Sequence, residues 1–288
     1  MANILIGFLT AHQEDIMMIL SAMCGLIAVF VLMMRSLPQK RRNALLVVEL
    51  CAMLIMIADC FAYKYRGDPS EVGYWVVRIS NFTVFFMNIG ILYAFNAYLV
   101  NLYEDANNDK GFKRLKVVNY LGVAGVVMLI VSQFTGFYYT FDASNTYVRG
   151  PGFFVSYLIP AAMLIIQVTV IIQSFKKLNR IMSISLLLFS IFPFVASILQ
   201  LVFYGLSLIN TTIAAMALLL YLFALKDMNE TYAHANDLRI ELLTAEHEET
   251  FRTDGRSSGK RNRCQGQIYT RSFCEGCRLL EDDRQDGR

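Results

Sequence analysis

Residues 43–63 read NALLVVELCAMLIMIADCFAY, a largely apolar run that contains two carboxylates, Glu49 and Asp59. A helix needs about 20 apolar residues to cross the roughly 30 Å hydrocarbon core of a bilayer. The stretch therefore predicts a membrane-spanning helix.

Further stretches of this kind fill the chain between Asp15 and Leu225. The seven predicted spans are 15–34, 43–63, 74–100, 115–137, 152–174, 181–204 and 206–225. Hydrophobic residue types make up 56% of the sequence, far above a soluble domain, and the net charge of +3 calls for no nucleic-acid partner. We predict an all-α membrane protein, with a seven-helix transmembrane bundle over residues 1–225 embedded in a lipid bilayer.

Basic residues concentrate in alternate loops of this layout. The first, third and fifth loops contain Arg35, Lys40, Arg41, Arg42, Lys110, Lys113, Arg114, Lys116, Lys176, Lys177 and Arg180. The second and fourth loops contain only Lys64, Arg66 and Arg149. Because Lys and Arg accumulate in cytoplasmic loops, we expect an extracellular N-terminus and a cytoplasmic C-terminus in a multi-pass protein of the cell membrane.

Two ionisable residues fall at similar depth in consecutive spans. Asp59 lies near the outer end of span two, and Arg78 lies near the outer start of span three. An ionisable group within the membrane needs a partner or a function. The spacing predicts a structural Asp59–Arg78 ion pair between neighbouring helices, with contact to a ligand as the alternative.

The longest predicted outer loop, residues 137–154, reads FYYTFDASNTYVRGPGFF. Its single cation, Arg149, lies among tyrosines that include Tyr139 and Tyr147. Arginine binds anionic or carbonyl groups well, so these three residues are candidate contacts for a small extracellular ligand. Pairing of Arg149 with Asp142 or with a lipid phosphate is the alternative, and Gly150–Pro151 predicts a structural turn before span five.

Residues 226–252 continue as a charged, helix-forming segment. Apolar residues recur at near-heptad spacing in the series Leu225, Met228, Tyr232, Ala235, Leu238, Leu242 and Ala245. A single helix cannot bury such a stripe, so we expect a cytoplasmic, coiled-coil-like connector that relays a signal and forms a homodimer. A solvated helical extension is the alternative.

The seven-span layout, the placement of Asp59 and Arg78, and the loop motif Tyr147–Pro151 together resemble a bacterial family. They are similar to the seven-transmembrane sensor regions that precede histidine kinases, diguanylate cyclases and HD-GYP-type phosphodiesterases. The resemblance implies a sensory input module, which detects an extracellular ligand or a membrane state and relays it to a cytoplasmic output domain.

Residues 253–288 change abruptly to a polar, aperiodic composition that predicts a disordered tail. Cys264, Cys274 and Cys277 do not supply the four ligands of a closed zinc site. Read one nucleotide later, codons for this region permit the string AKDRYTRGHSARVADYS, which resembles the start of an HD-GYP-type domain. We therefore expect an out-of-frame tail, a missing output domain, no enzymatic activity, and no catalytic, metal or cofactor site.

Two other functions fit the same composition. A small transporter or permease would use the spans to carry a substrate, although the seven spans do not divide into repeated halves. A non-catalytic membrane protein that pairs with intact relatives would use the spans and the connector for association.

Overall fold

The computed structural model describes residues 7, 10–34, 37–105, 109–175, 179–202 and 205–257. Within these ranges, seven helices are long and apolar enough to cross a membrane, which confirms the predicted number of spans. The helices are α1 (Gln13–Met33), α2 (Gln39–Lys64), α3 (Glu71–Asp105), α4 (Asp109–Thr135), α5 (Val155–Ser174), α6 (Arg180–Val202) and α7 (Leu208–Ser257). The chain is therefore an all-α, multi-pass membrane protein.

Several helices overrun or fall short of the predicted spans. Helix α3 covers Glu71–Asp105, which extends beyond the predicted 74–100 at both ends. Helix α4 stops at Thr135 because Gly136 has a φ of 64° and donates its N–H to the carbonyl of Ser132. A left-handed glycine of this kind is a common helix terminator.

Large aromatic side chains of α3 occupy the centre of the bundle. Phe95 and Tyr98 are fully buried, and the Phe95 ring lies 4.4 Å from that of Phe189 on α6. Phe134 of α4, by contrast, is 86% exposed. Apolar side chains on the outer faces suit a lipid environment, so hydropathy alone could not distinguish inward from outward faces.

The loop between α4 and α5 forms a short antiparallel hairpin that the sequence did not predict. Strand β1 (Tyr139–Phe141) pairs with β2 (Tyr147–Arg149), with Tyr139 opposite Arg149. Asn145 adopts a φ of 57° in the turn, and its side chain donates to the carbonyl of Asp68 in the α2–α3 loop. We call the end of the bundle that carries residues 139–149 the hairpin end.

The chain divides into two units at Glu230. Glu230 accepts a hydrogen bond of 2.9 Å from Asn179 and lies 4.0 Å from Lys226, and both contacts are within the first unit. The described part of the second unit is helical, and Tyr232, Leu238 and Leu242 are about half exposed or more. The cytoplasmic placement and the relay role of this segment stay predictions.

The predicted tail is only partly covered by the structure. Helix α7 ends at Ser257, so residues 253–257 are helical rather than part of a disordered tail. Residues 258–288 lie outside the described residues, and the disorder expected there is not tested.

Candidate functional site

A cavity of about 220 Å³ opens at the hairpin end of the first unit, between α2, α3, α5, α6, β2 and the start of α7. Its wall combines aromatic and aliphatic side chains with a compact polar set. The polar residues of the wall include Asp59, Asn88, Arg149, Gln200, Ser207 and Asn210. A mostly apolar cavity with a few convergent polar groups is the usual form of a small-molecule site.

Two prolines inside helices contribute to the cavity wall. Pro160 lies within α5 and Pro193 within α6, and both face the cavity. Proline has no N–H to donate to the carbonyl four residues earlier, so it interrupts helical packing and opens space beside the helix. The sequence contained both prolines but gave no indication that they flank one cavity.

Asp59 is the acidic centre of the site. It is only 7% exposed, and its Oδ2 atom accepts hydrogen bonds from the Ser207 hydroxyl and, at 2.7 Å, from the Asn210 amide. Both donors lie at the start of α7, where the positive end of the helix dipole favours a carboxylate. Among the described residues, no hydrogen bond reaches Oδ1 of Asp59.

The network around Asp59 joins four helices. Asn88 of α3 donates to Oδ1 of Asn210 at 3.1 Å, and the backbone N–H of Ser207 donates to Oε1 of Gln13 on α1 at 3.1 Å. Sequence reasoning missed Gln13, Ser207 and Asn210. These three lie at the ends of apolar runs, where polar residues are common, so they carried little signal.

Arg149 forms the basic side of the cavity. Its Nη2 donates to the backbone oxygen of Gln200 at 3.4 Å, and its guanidinium lies 4.4 Å from the ring centre of Phe153. The Gln200 side chain in turn accepts the N–H of Ile209 at 2.8 Å. Arg149 and Asp59 are thus both connected to the junction between α6 and α7.

Arg78 lies elsewhere, and the predicted Asp59–Arg78 ion pair is wrong. Arg78 donates to Oδ1 of Asn145 at 2.7 Å and stacks 3.5 Å from the ring centre of Tyr74. It holds the hairpin, whereas Asp59 bonds to α7. Arg78 is rotated about 100° around α3 from Val77, which lines the cavity.

Tyr139 also lies outside the cavity wall. Its ring lies 5.1 Å from that of Phe85, and its hydroxyl donates to Oε1 of Gln133 at 3.1 Å. Burial raises the pKa of Tyr139 to about 12, which the bond to Gln133 only partly offsets, so the hydroxyl stays a neutral donor. Of the candidate ligand contacts, Arg149, Tyr147 and Asp59 line the cavity, whereas Tyr139 and Arg78 support the hairpin.

Local hydrogen bonds fix the conformation of the hairpin turn. The Asp142 carboxylate accepts the N–H groups of Thr146 and Ser144 at 2.8 and 3.0 Å, and also the Ser144 hydroxyl. The pKa of Asp142 lies below its ordinary value, chiefly because of the bond from Thr146. A lowered pKa means that the turn gains stability from ionised Asp142 above the ordinary Asp range and loses it as pH falls through the lowered value.

The glycines after β2 allow a close backbone crossing. The N–H of Gly150 donates to the backbone oxygen of Tyr138 at 2.9 Å, and the N–H of Gly152 donates to the backbone oxygen of Phe137 at 2.8 Å. A Cβ atom on Gly150 would lie 2.5 Å from the backbone oxygen of Phe137. The structure thus gives a physical reason for the structural role expected of Gly150, whereas the role expected of Pro151 stays a prediction.

No known protein family, curated protein or solved structure matches this chain. In the part of the chain that the structure describes, no group of three metal-ligating side chains occurs. The structure alone therefore defines the class of this protein: it is a seven-helix, multi-pass membrane protein with a small polar and aromatic cavity at its hairpin end.

Proposed function

We propose that this chain is a membrane sensor module, in which a small ligand enters the cavity at the hairpin end and changes the state of helix α7. The observation that carries the proposal is the anchoring of α7. Its first turn forms part of the cavity wall and is held there by Asp59 of α2 and Gln200 of α6. A ligand that competes for these contacts acts directly on α7.

The proposed mechanism is a shift between two packings of the bundle. A ligand moves such an equilibrium only by its difference in affinity for the two states. Contacts with Asp59, Asn210 and Arg149 supply that difference, because a shift of α7 changes their geometry. Pro160 and Pro193 flank the cavity and provide places where α5 and α6 bend.

The proposal includes an orientation, with the hairpin end outside the cell and the end of α7 in the cytoplasm. The distribution of basic residues supports it. In a protein whose six native cysteines are replaced by alanine, we expect a membrane-impermeant maleimide to label Ser144→Cys in intact cells. Asp237→Cys should react only after permeabilisation, and the reverse pattern would refute this orientation.

The proposal also includes a homodimer formed by the apolar stripe of α7. Leu238 and Ile240 are similarly exposed, at 48% and 53%, but lie about 200° apart around the helix. In the cysteine-free background, we expect Leu238→Cys to form disulfide-linked dimers in native membranes several times faster than Ile240→Cys. Equal rates at the two positions would indicate random collision and argue against a specific dimer.

A cavity-filling substitution can imitate a bound ligand. Ala161 of α5 lines the cavity, whereas Leu158 of the same helix is 64% exposed. We expect Ala161→Trp to change the cross-linking rate of Leu238→Cys by about threefold or more, because the indole displaces the start of α7. Leu158→Trp serves as the matched control and should leave the rate unchanged.

The same variants distinguish sensing from transport. If Ala161→Trp leaves cross-linking at position 238 unaltered in a protein that still folds, the relay function is rejected. Transport would instead be indicated by flux of a radiolabelled small molecule into vesicles, blocked by Ala161→Trp and unaffected by Leu158→Trp.

A further inference from the structure

The charge arrangement of the cavity contains information about the chemistry of its ligand. A carboxylate within a membrane protein is stable only with hydrogen bonds and a cationic partner, or in its neutral form. Asp59 has two hydrogen bonds, both at Oδ2, and in the described residues no lysine or arginine forms an ion pair with it. In its ionised form Asp59 therefore suits a cationic group that enters the cavity.

Opposite charge is provided on another wall of the same cavity. Arg149 and Arg66 both line it, and Arg149 is positioned by the backbone oxygen of Gln200 and the ring of Phe153. A guanidinium has five N–H donors in a planar fork, which suits a carboxylate or phosphate. The basic wall is thus suited to an anionic oxygen group.

The acidic and basic walls belong to the same cavity, because both Asp59 and Arg149 line it. Both walls are also attached to the junction between α6 and α7: Asp59 accepts hydrogen bonds from Ser207 and Asn210, and Gln200 accepts hydrogen bonds from Arg149 and Ile209. A molecule bound in this cavity therefore lies between a carboxylate and a guanidinium. Apolar side chains such as Leu164, Phe189 and Ile213 complete the wall between these groups.

We infer that the cavity binds a small zwitterion, whose protonated amine pairs with Asp59 and whose anionic oxygen group pairs with Arg149. This inference rests on the proposed ligand-binding function and specifies its ligand class. The volume of about 220 Å³ is below the range of roughly 300–1,000 Å³ found for drug-sized sites, so the bound group is small. A free amino acid and the headgroup of an aminophospholipid share this chemistry.

The experiment uses the full chain in nanodiscs of phosphatidylcholine and measures thermal stabilisation. The soluble probes are the twenty standard amino acids, each compared with its decarboxylated amine and its deaminated acid. The lipid arm replaces part of the phosphatidylcholine with phosphatidylethanolamine, which has a primary ammonium. We expect stabilisation by a zwitterion in one of these arms and weaker stabilisation by molecules that lack either charge.

Matched variants identify the two contacts. Asp59→Asn preserves size and removes the charge, and we expect it to weaken binding of the effective zwitterion by about 30-fold or more. Arg149→Gln should weaken binding of the zwitterion but leave binding of the matched amine unchanged. Asp15→Asn and Lys64→Gln remove charges that do not line the cavity and should leave the affinity unchanged.

The remaining outcomes separate this inference from the proposed function. Equal binding of uncharged or purely anionic probes, with no effect of Asp59→Asn, would overturn the zwitterion assignment and leave ligand binding intact. Stabilisation by phosphatidylethanolamine that Asp59→Asn abolishes would support the assignment and identify a lipid source. If the protein is folded in the nanodiscs and neither the amino acids nor phosphatidylethanolamine raise its melting temperature, the zwitterion assignment and the small-ligand site are both overturned.

Discussion

Replacing Asn210 with leucine is expected to lower the free energy of unfolding by about 2–3 kcal/mol. The Asn210 amide donates to the buried carboxylate of Asp59 and accepts from the amide of Asn88. Leucine has a similar size, so it removes both bonds without opening a large cavity. Asp59, which is only 7% exposed, then keeps only its bond from Ser207. Unfolding by sodium dodecyl sulfate in mixed micelles measures the change.

Asn101 provides a matched control on α3. Its amide donates at 2.7 Å to the carbonyl of Ala97 in the same helix, and among the described residues no hydrogen bond connects it with another helix. Asn101→Leu should change the unfolding free energy by about 0.5 kcal/mol or less. Similar losses for the two variants would show that asparagine substitution itself, rather than the network at Asp59, determines the effect.

The double replacement of Asp59 and Asn210 adds a further test of this network. If Asn210 is needed because it stabilises the carboxylate, the effect of Asn210→Leu should be smaller in an Asp59→Asn background than in the native chain. A coupling of about 1 kcal/mol is the expected size for two residues in direct contact. Strict additivity would mean that the two side chains act independently.

The number of spans could be predicted from the sequence because each apolar run is long enough to decide the matter alone. The ends of the helices were less predictable. Gly136 stops α4, and nothing in hydropathy marks the position at which α3 continues to Asp105. The hairpin was missed because its two strands have three residues each, too few for a periodic pattern.

The candidate site was only partly predictable for a geometric reason. Asp59, Arg149 and Tyr147 were singled out and do line the cavity. The predicted partner of Asp59, Arg78, was wrong because hydropathy indicates the position of a residue along a span but not the direction in which it faces around the helix axis. Asn210, the observed partner, lies 151 residues away in the chain and carried no local signal that connected it with Asp59.

The interpretation of residues 253–288 as an out-of-frame tail stays a prediction. Only 253–257 lie in the described part of the chain, and they are helical. The likeness to an HD-GYP-type domain concerns codons rather than side chains, so no structure of this protein bears on it. Sequencing the encoding DNA from Glu248 onward tests it directly.

Replacing Gly150 with alanine is expected to destabilise the protein by about 2 kcal/mol or more, because a methyl group at this position has no space. Its Cβ would lie 2.5 Å from the backbone oxygen of Phe137 and closer still to that of Gly136. Backbone atoms cannot rotate away as a flexible side chain can. The strand that positions Arg149 must therefore shift, and the bond from Arg149 to Gln200 should weaken with it.

Gly90 of α3 is a matched control, because the same glycine-to-alanine substitution is not expected to destabilise the protein there. A Cβ there would lie 3.5 Å from the sulfur of Cys51, an ordinary van der Waals distance, and alanine is favoured over glycine within a helix by about 1 kcal/mol. Gly90→Ala should therefore be neutral or slightly stabilising in the same unfolding measurement. A loss of stability at Gly90 as large as that at Gly150 would show that the bundle tolerates no added methyl group, and the special role of the crossing after β2 would be lost. A loss confined to Gly150, accompanied by weaker binding in the cavity, would show that the hairpin holds Arg149 in place for the ligand.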